Sequence, residues 1–154
     1  MKKTAILTAI LAACSLTAAE TVLQESSFSY AYTSGAGIVD DSAAVDKKAG
    51  KMDSSKGWTL ICNIPKELFG SKEITVSLRT DAKDSKGVFT VGIYNKKVKK
   101  IVLVKRLKAA DYAKETYTDV PLGKWELKEG EYFFVGSLIP KATANIFVDK
   151  ITFK

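Results

Sequence analysis

Three side chains in the sequence could together bind a sugar. Thr90 and Tyr94 share one face of the predicted strand GVFTVGIYN, and Arg79 lies near the end of the preceding strand, EITVSLRT. An aromatic ring can stack on the apolar face of a pyranose, while hydroxyl and guanidinium groups can bond its hydroxyls. Arg79, Thr90 and Tyr94 are therefore candidate ligand contacts. The alternative for Tyr94 is an ordinary position on an exposed sheet surface.

The two tryptophans are further aromatic candidates. Trp58 and Trp125 both stand near predicted strand ends, where an indole could stack on a ligand. Trp58 also begins an alternation of apolar residues, and Trp125 follows a turn at Gly123, so each could instead pack in the core. The pattern favours the core for both, with Trp125 kept as a candidate ligand contact.

The sequence offers little catalytic chemistry. It contains no histidine, which excludes Ser-His and Cys-His nucleophile pairs and every histidine-containing metal site. Two carboxylates at a suitable separation can hydrolyse glycosides, but the candidate acids fall in predicted turns and loops, where such residues commonly shape the backbone. These acids are Asp40, Asp41, Asp81 and Asp84. We therefore predict a protein that is not an enzyme, with a small glycosidase as the remote alternative.

The elements that position these side chains are predicted to be β-strands. Apolar residues recur with a period of two, in short runs separated by Gly, Asp, Asn, Ser and Lys. This pattern predicts an all-β fold, a two-sheet antiparallel β-sandwich with eight or nine strands. The candidate strands cover residues 21–32, 49–52, 58–64, 73–80, 87–94, 99–107, 116–121, 131–138 and 144–153.

Alternation assigns a core face to the strands EITVSLRT and GVFTVGIYN. The turn residues of DAKDSKG, which joins them, predict a hairpin that would place Arg79 and Tyr94 on one exposed surface. The run IPKELFG predicts a single helical turn, and the segment 33–57 is long enough to contain a short strand. The predicted core sets are Ile74, Val76 and Leu78 in the first strand, and Phe89, Val91 and Ile93 in the second.

The 154 residues are predicted to form a signal peptide followed by one domain. Residues 1–19 begin with a basic pair and continue without charge, as a secretory signal does, and are too short to span a bilayer stably. Cleavage after Ala19 would leave a mature domain of residues 20–154, whereas the run LAAC also matches a lipoprotein signal that anchors the chain through Cys14. Both interpretations predict an exported protein, located in the periplasm, at the cell surface or outside the cell. Cys62 then has no disulfide partner unless Cys14 survives, and is predicted to be a buried thiol.

A basic run, KKVKKIVLVKRLK, spans residues 96–108 and holds seven basic residues and no acid. It could contact an anionic polymer through Lys96, Lys97, Lys99 and Lys100. Because it lacks interleaved aromatics that would stack on bases, nucleic acid is not predicted. The favoured alternative is a solubilising role, since lysines on an exposed edge strand prevent it from pairing with other sheets.

The chain as a whole resembles a known superfamily. The resemblance lies in the ordered stretches IVDDSAAVDKKAGKM, WTLICNIPKELFGSKEITVSLRTDA, GVFTVGIY, TYTDVPLGKWELKEGEYFFVGS and ANIFVDKITF. They resemble the jelly-roll β-sandwiches of the galactose-binding-like superfamily, which includes many carbohydrate-binding modules. The resemblance implies a jelly-roll fold and a non-catalytic function in binding glycan or polysaccharide. The alternative is a structural or interaction protein of the periplasm or cell surface that contacts protein or an anionic envelope polymer.

The closing strand, ANIFVDKITFK, changes parity in its middle. The apolar pairs on either side of Asp149 have opposite parity, so a bulge at Asp149 and Lys150 would return both pairs to the core. The resemblance implies a structural calcium here, held by Asp149, by Glu25 near the first strand and by backbone carbonyls. The alternative is a plain bulge with a solvated Asp149–Lys150 pair.

Overall fold

The computed structural model describes residues 19–30, 36–53, 59–81, 87–137 and 145–154. The predictions for Cys14, for Trp58 and for nearly all of the signal peptide lie outside these residues. The described chain consists of β-strands and three short 3-10 helices, none of them long and apolar enough to cross a membrane. The strands are β1 (Thr21–Gln24), β2 (Phe28–Tyr30), β3 (Gly37–Asp40), β4 (Lys48–Asp53), β5 (Thr59–Asn63), β6 (Gly70–Thr80), β7 (Val88–Asn95), β8 (Lys100–Lys108), β9 (Thr118–Leu127), β10 (Glu131–Ser137) and β11 (Asn145–Phe153).

Two antiparallel sheets pack face to face, which confirms the predicted all-β sandwich. The five-stranded sheet has the order β2-β5-β10-β7-β8. The six-stranded sheet has the order β3-β4-β11-β6-β9, and β1 also pairs with β11. Along β11, β4 pairs with residues 145–148 and β1 with residues 150–153, so these two strands follow one another along the same edge of β11.

The structure contains more strands than the eight or nine predicted. The predicted strand 21–32 is divided by a 3-10 helix, Glu25–Ser27, into β1 and β2, which belong to different sheets. The segment 33–57 contains β3 as well as β4, and β9 extends to Leu127 instead of ending at Pro121. The 3-10 helix Lys66–Leu68 confirms the helical turn predicted in IPKELFG.

The core lies between the sheets and is built by alternation. Each strand contributes every second side chain to it, because successive side chains of a strand point to opposite faces. Both predicted core sets are confirmed, and each of their six residues is at most 1% exposed. Cys62 is a buried free thiol among the described residues, and burial raises its pKa to about 12.

The predicted hairpin between β6 and β7 is wrong. β6 pairs with β9 and β11, whereas β7 pairs with β8 and β10, so the chain passes from one sheet to the other after Thr80. The Gly, Asp and Ser residues of DAKDSKG are common both in tight turns and in connections between sheets. Their presence therefore does not distinguish a hairpin from a crossover. As a result Arg79 and Tyr94 lie in different sheets.

The predicted bulge in β11 is confirmed. The register of β11 against β6 shifts between Val148 and Lys150. The apolar residues on both sides of the shift are fully buried, as the extra residue of a bulge allows. They are Ile146, Val148, Ile151 and Phe153.

Candidate functional site

Two tyrosines stand side by side on the outer face of the five-stranded sheet. Tyr94 of β7 and Tyr132 of β10 are direct antiparallel partners. Their ring centroids are 5.2 Å apart with an interplanar angle of 33°. With Ile101 and Phe134 they line a shallow cavity of about 250 Å³. We call Tyr94 and Tyr132 the tyrosine platform.

The strand β10 presents this surface because it has aromatic residues on both of its faces. In EYFFVGS, Phe133 and Val135 are buried in the core between the sheets. Tyr132 and Phe134 therefore alternate to the outside, where Phe134 pairs with Gly92 of β7 and Ile61 of β5. Tyr132 and Phe134 were not predicted from the sequence. Their position could have been predicted, because three consecutive aromatic residues in a strand must place at least one ring on the face opposite the core.

One ammonium group adjoins the tyrosine platform. Lys96 Nζ lies 5.0 Å from the Tyr132 ring centroid and 3.4 Å from Asn63 Oδ1. Burial, and then the neighbouring Tyr94, raise the pKa of Tyr132, so its phenol remains protonated at neutral pH. The site thus combines two half-buried rings with hydroxyl, amide and ammonium groups.

Arg79, a predicted ligand contact, lies on the six-stranded sheet in a hydrogen-bonded cluster. Its Nη2 is 2.5 Å and its Nε 3.0 Å from Asp41 Oδ2, which also accepts a hydrogen bond from the Tyr117 hydroxyl at 2.7 Å. Its guanidinium lies 4.1 Å from the Phe147 ring centroid. The charge of Arg79 and its Nε and Nη2 donors are thus engaged within the protein.

The Asp41 carboxylate anchors the loop after β3. Its Oδ1 accepts the Ala43 N–H at 3.0 Å. Burial alone would raise the pKa of Asp41, but hydrogen bonds from Tyr117, Arg79 and the Ala43 N–H, together with the charge of Arg79, outweigh burial and lower it. The cluster therefore holds an ionised carboxylate at neutral pH.

A second cavity, of about 190 Å³, opens beside Arg79. No aromatic ring of the described residues lines it, so these residues offer no stacking surface for a sugar. Its lining residues are Arg79, Thr80, Asp81, Ala113, Lys114 and Glu115. The tyrosine platform is therefore the stronger candidate.

Thr90 shares the outer face of β7 with Tyr94 but does not line the platform, and Trp125 lies in the other sheet. Thr90 is buried, and its hydroxyl donates to the Gly136 carbonyl at 3.1 Å. Trp125 packs against the core from β9, in the other sheet, and its Nε1 donates to Glu131 Oε2 at 3.2 Å. Of the four predicted ligand contacts, only Tyr94 belongs to the platform, and a binding role for the others stays a prediction.

The basic run occupies an edge of the five-stranded sheet. β8 is the last strand in that sheet, and the turn between β7 and β8 holds Lys96, Lys97 and Lys99. Lys97 Nζ pairs with Glu129 Oε2 at 2.6 Å, and both side chains are exposed. Lysines at this position fit the solubilising role expected at an exposed edge.

The residues predicted to bind calcium lie at the junction of β1, β4 and β11. Asp149 is 4% exposed, and its Oδ1 accepts the Val45 N–H at 3.0 Å. Burial raises the pKa of Asp149, and the charges of Asp46 and Glu25 raise it further against the lowering effects of Val45 and Lys150. The alternative of a solvated Asp149 is therefore wrong.

Glu25 has an unusual environment in the same region. Its Oε2 atom is buried and has no hydrogen-bond partner in the described part of the chain. The same is true of the Tyr30 hydroxyl. The charge of Glu25 adds to burial in raising the pKa of Tyr30 to about 12. Among the described residues, no group of three or more cysteine or acidic side chains is arranged to hold a metal. A cation here would rely on two carboxylates and on backbone or water oxygens.

No protein-family model and no curated protein matches the chain. Solved structures do match it. A family 35 carbohydrate binding module from Clostridium thermocellum superposes with a TM-score of 0.63 at 11% identity, over 88% of this chain and 98% of the module. The C-terminal family 6 carbohydrate-binding module of a marine laminarinase from Zobellia galactanivorans gives a TM-score of 0.55 at 16% identity, over 88% and 99% of the two chains. The chain therefore has the jelly-roll β-sandwich fold of these modules.

The same jelly roll also occurs within larger proteins. An exo-beta-1,3-galactanase from Phanerochaete chrysosporium superposes with a TM-score of 0.61 at 20% identity, over 89% of this chain but only 29% of the galactanase chain. Three neighbours that this jelly roll covers over at least 93% of their length are carbohydrate-binding modules. At such identities the likeness establishes the fold alone.

Proposed function

We propose that the protein is an exported, non-catalytic domain that binds carbohydrate on the outer face of its five-stranded sheet. The observation that carries the proposal is the tyrosine platform, two adjacent rings with hydrogen-bonding groups beside them. A sugar can stack its apolar face on such rings while its hydroxyls reach the phenols and the Asn63 amide. The carbohydrate-binding modules among the structural neighbours support this proposal.

The test is a glycan array followed by affinity measurements on platform variants. Tyr94→Ala and Tyr132→Ala should each weaken binding to the best glycan about tenfold or more, because removing a central ring from an interface commonly costs more than 1 kcal/mol. Tyr132→Phe should retain most of the affinity if stacking dominates. Lys124→Ala, an exposed change on the six-stranded sheet, is the control. Binding that survives loss of both tyrosines would contradict the proposal.

The non-catalytic and exported parts of the proposal have separate tests. The protein should release no reducing sugar from any glycan that it binds, since no carboxylate lies at the platform among the described residues. Sequencing the N-terminus of the protein from cell fractions should give Glu20 after signal removal. A lipid-modified N-terminal Cys14 would instead support membrane anchoring.

The edge position of β8 favours a second candidate function. Its exposed lysines could contact an anionic envelope polymer or protein without the tyrosine platform. Such contact should weaken steeply with salt and depend on Lys96, Lys97, Lys99 and Lys100. It should not change when Tyr94 or Tyr132 is replaced by Phe.

We also propose a structural calcium at the Glu25 and Asp149 carboxylates. The residues fit the ion, because calcium prefers several oxygen ligands and one Glu25 oxygen is buried without a partner. The ion would neutralise the Asp149 carboxylate, whose charged form burial disfavours, and would give the buried Glu25 oxygen a partner. Added calcium should raise the free energy of unfolding, by about 2.7 kcal/mol at about 100 times its Kd. Glu25→Gln and Asp149→Asn should each abolish that increase, and magnesium should not reproduce it. If the unaltered protein had the same free energy of unfolding in calcium and in chelator, the proposal would be contradicted.

A further inference from the structure

The outer face of the five-stranded sheet is basic as well as aromatic. By the strand register, alternate residues of β5, β10, β7 and β8 form this face, and none of those in the described chain is acidic. Arg106 pairs with Thr90, and Lys108 pairs with Val88. Because Thr90 and Val88 flank the buried Phe89, Arg106 and Lys108 point to the outer side with the tyrosines.

The cations of this face have no carboxylate partner among the described residues. Lys96 contacts only neutral groups, the Tyr132 ring and the Asn63 amide. Arg106 and Lys108 are exposed and form no ion pair there. The ion pairs of the described chain lie elsewhere, at Arg79–Asp41, Lys97–Glu129 and Lys154–Glu20. A surface with unpaired charge of one sign attracts ligands of the opposite sign.

The cations lie at two ends of the same surface. Lys96 follows β7 directly and reaches Tyr132. The partner of Arg106, Thr90, precedes Tyr94 by four positions, or roughly 13 Å along an extended strand. A ligand that contacts both ends must be longer than one sugar ring.

We propose that the ligand of the tyrosine platform is an extended acidic glycan. Its sugar rings stack on Tyr94 and Tyr132, and its carboxylate or sulfate groups pair with Lys96 at one end and with Arg106 and Lys108 at the other. This inference rests on the glycan-binding function proposed above and adds the charge and length of the ligand. The hydroxyls of a neutral glycan could only accept hydrogen bonds from Lys96, whereas an acidic glycan also supplies the anion that the ammonium lacks, and such charge-assisted bonds are stronger.

The test compares polymers that differ only in charge. Polygalacturonate is paired with its methyl ester, and iota-carrageenan with its desulfated form, which separates carboxylate from sulfate recognition. At low salt, affinity for at least one acidic polymer should exceed that for its neutral counterpart about tenfold or more, and added salt should reduce the difference. A longer oligomer should bind more tightly than a monosaccharide of the same acid.

Variants locate the interaction. The triple change Lys96→Gln, Arg106→Gln and Lys108→Gln should remove most of the preference for the acidic polymer. The control triple, Lys48→Gln, Lys66→Gln and Lys124→Gln, lowers the net charge equally at exposed sites off this face and should leave the preference intact. Tyr94→Ala should weaken binding of the acidic polymer as well, because the rings and the cations act on one ligand.

Each outcome bears on a different statement. Equal affinity for acidic and neutral polymers, with dependence on the tyrosines, would overturn the acidic-ligand inference and leave the carbohydrate-binding function standing. If affinity for the acidic polymer did not change when Tyr94 or Tyr132 was replaced, the inference would be overturned in favour of contact through the basic edge alone. Absence of binding to every polymer here and to every glycan on the array would overturn both.

Discussion

At the scale of single residues, Asp41 joins a loop to the six-stranded sheet through Arg79 and Tyr117. Tyr117→Phe removes one hydrogen bond of 2.7 Å to an ionised carboxylate. We expect it to lower the free energy of unfolding by about 1.5–3 kcal/mol, as for other hydrogen bonds to charged groups. Urea unfolding measures this. Tyr112→Phe is the matched control. The ring of Tyr112 packs edge-on against Phe89, while its hydroxyl forms no hydrogen bond in the described chain. If both variants lost the same free energy of unfolding, the role of the Tyr117 hydroxyl would be contradicted.

Asp149 should affect stability in the opposite direction from Asp41. The folded-state pKa of Asp149 is raised, first by burial, so without calcium the fold loses stability as pH rises through that pKa. Asp41 has a lowered pKa, and its contribution is instead lost as pH falls through the folded value. Asp149→Asn should therefore stabilise the protein in chelator at about pH 7 more than at about pH 3, where an ordinary Asp carboxyl is already protonated. Urea unfolding at both pH values checks this, and destabilisation by the variant at the higher pH would contradict it.

At the scale of elements, local alternation predicted faces but not partners. The parity change in β11 fixed the bulge at Asp149, because two apolar pairs can reach one core only through an extra residue. No comparable pattern in the sequence predicts that β7 pairs with β10 rather than with β6, because the alternation of apolar residues in a strand is the same whichever strand lies beside it. Tyr132 therefore remained undetected beside Tyr94, and Arg79 was assigned to a surface that it does not reach.

The contact between β7 and β8 depends on the absence of a side chain at Gly92. A Cβ atom there would lie 2.0 Å from the Leu103 carbonyl oxygen, a backbone atom that cannot rotate away. Gly92→Ala should therefore force β8 outward and lower the free energy of unfolding by about 2–3 kcal/mol. Thermal and urea unfolding measure the loss, and wild-type stability in this variant would contradict the close approach. Because β8 carries Ile101 and Arg106, binding at the platform should weaken as well.

At the scale of the whole molecule, composition and periodicity were sufficient to predict the sandwich. The two core sets follow from which residues avoid water. The free thiol follows from the cysteine count, and the jelly-roll class was implied by the resemblance to a known superfamily. The division of strands between the sheets does not follow, because it depends on contacts between residues far apart in sequence. The candidate site was the part least well predicted from the sequence, because a surface formed by four strands can be predicted only when the order of those strands is known.

The pairing of β1 with β11 also determines how the domain responds to mechanical force. Thr21 and Phe153 are partners in an antiparallel pair, so tension applied to residues 20 and 154 pulls this pair apart from one end. The hydrogen bonds then break one after another rather than together, and β1 should detach at low force, before the rest of the sandwich opens. Its release reaches Gln24, next to Glu25, so stretching would uncover the acids proposed to hold calcium. A calcium-bound domain should therefore resist the first rupture in an optical trap more strongly than the domain in chelator.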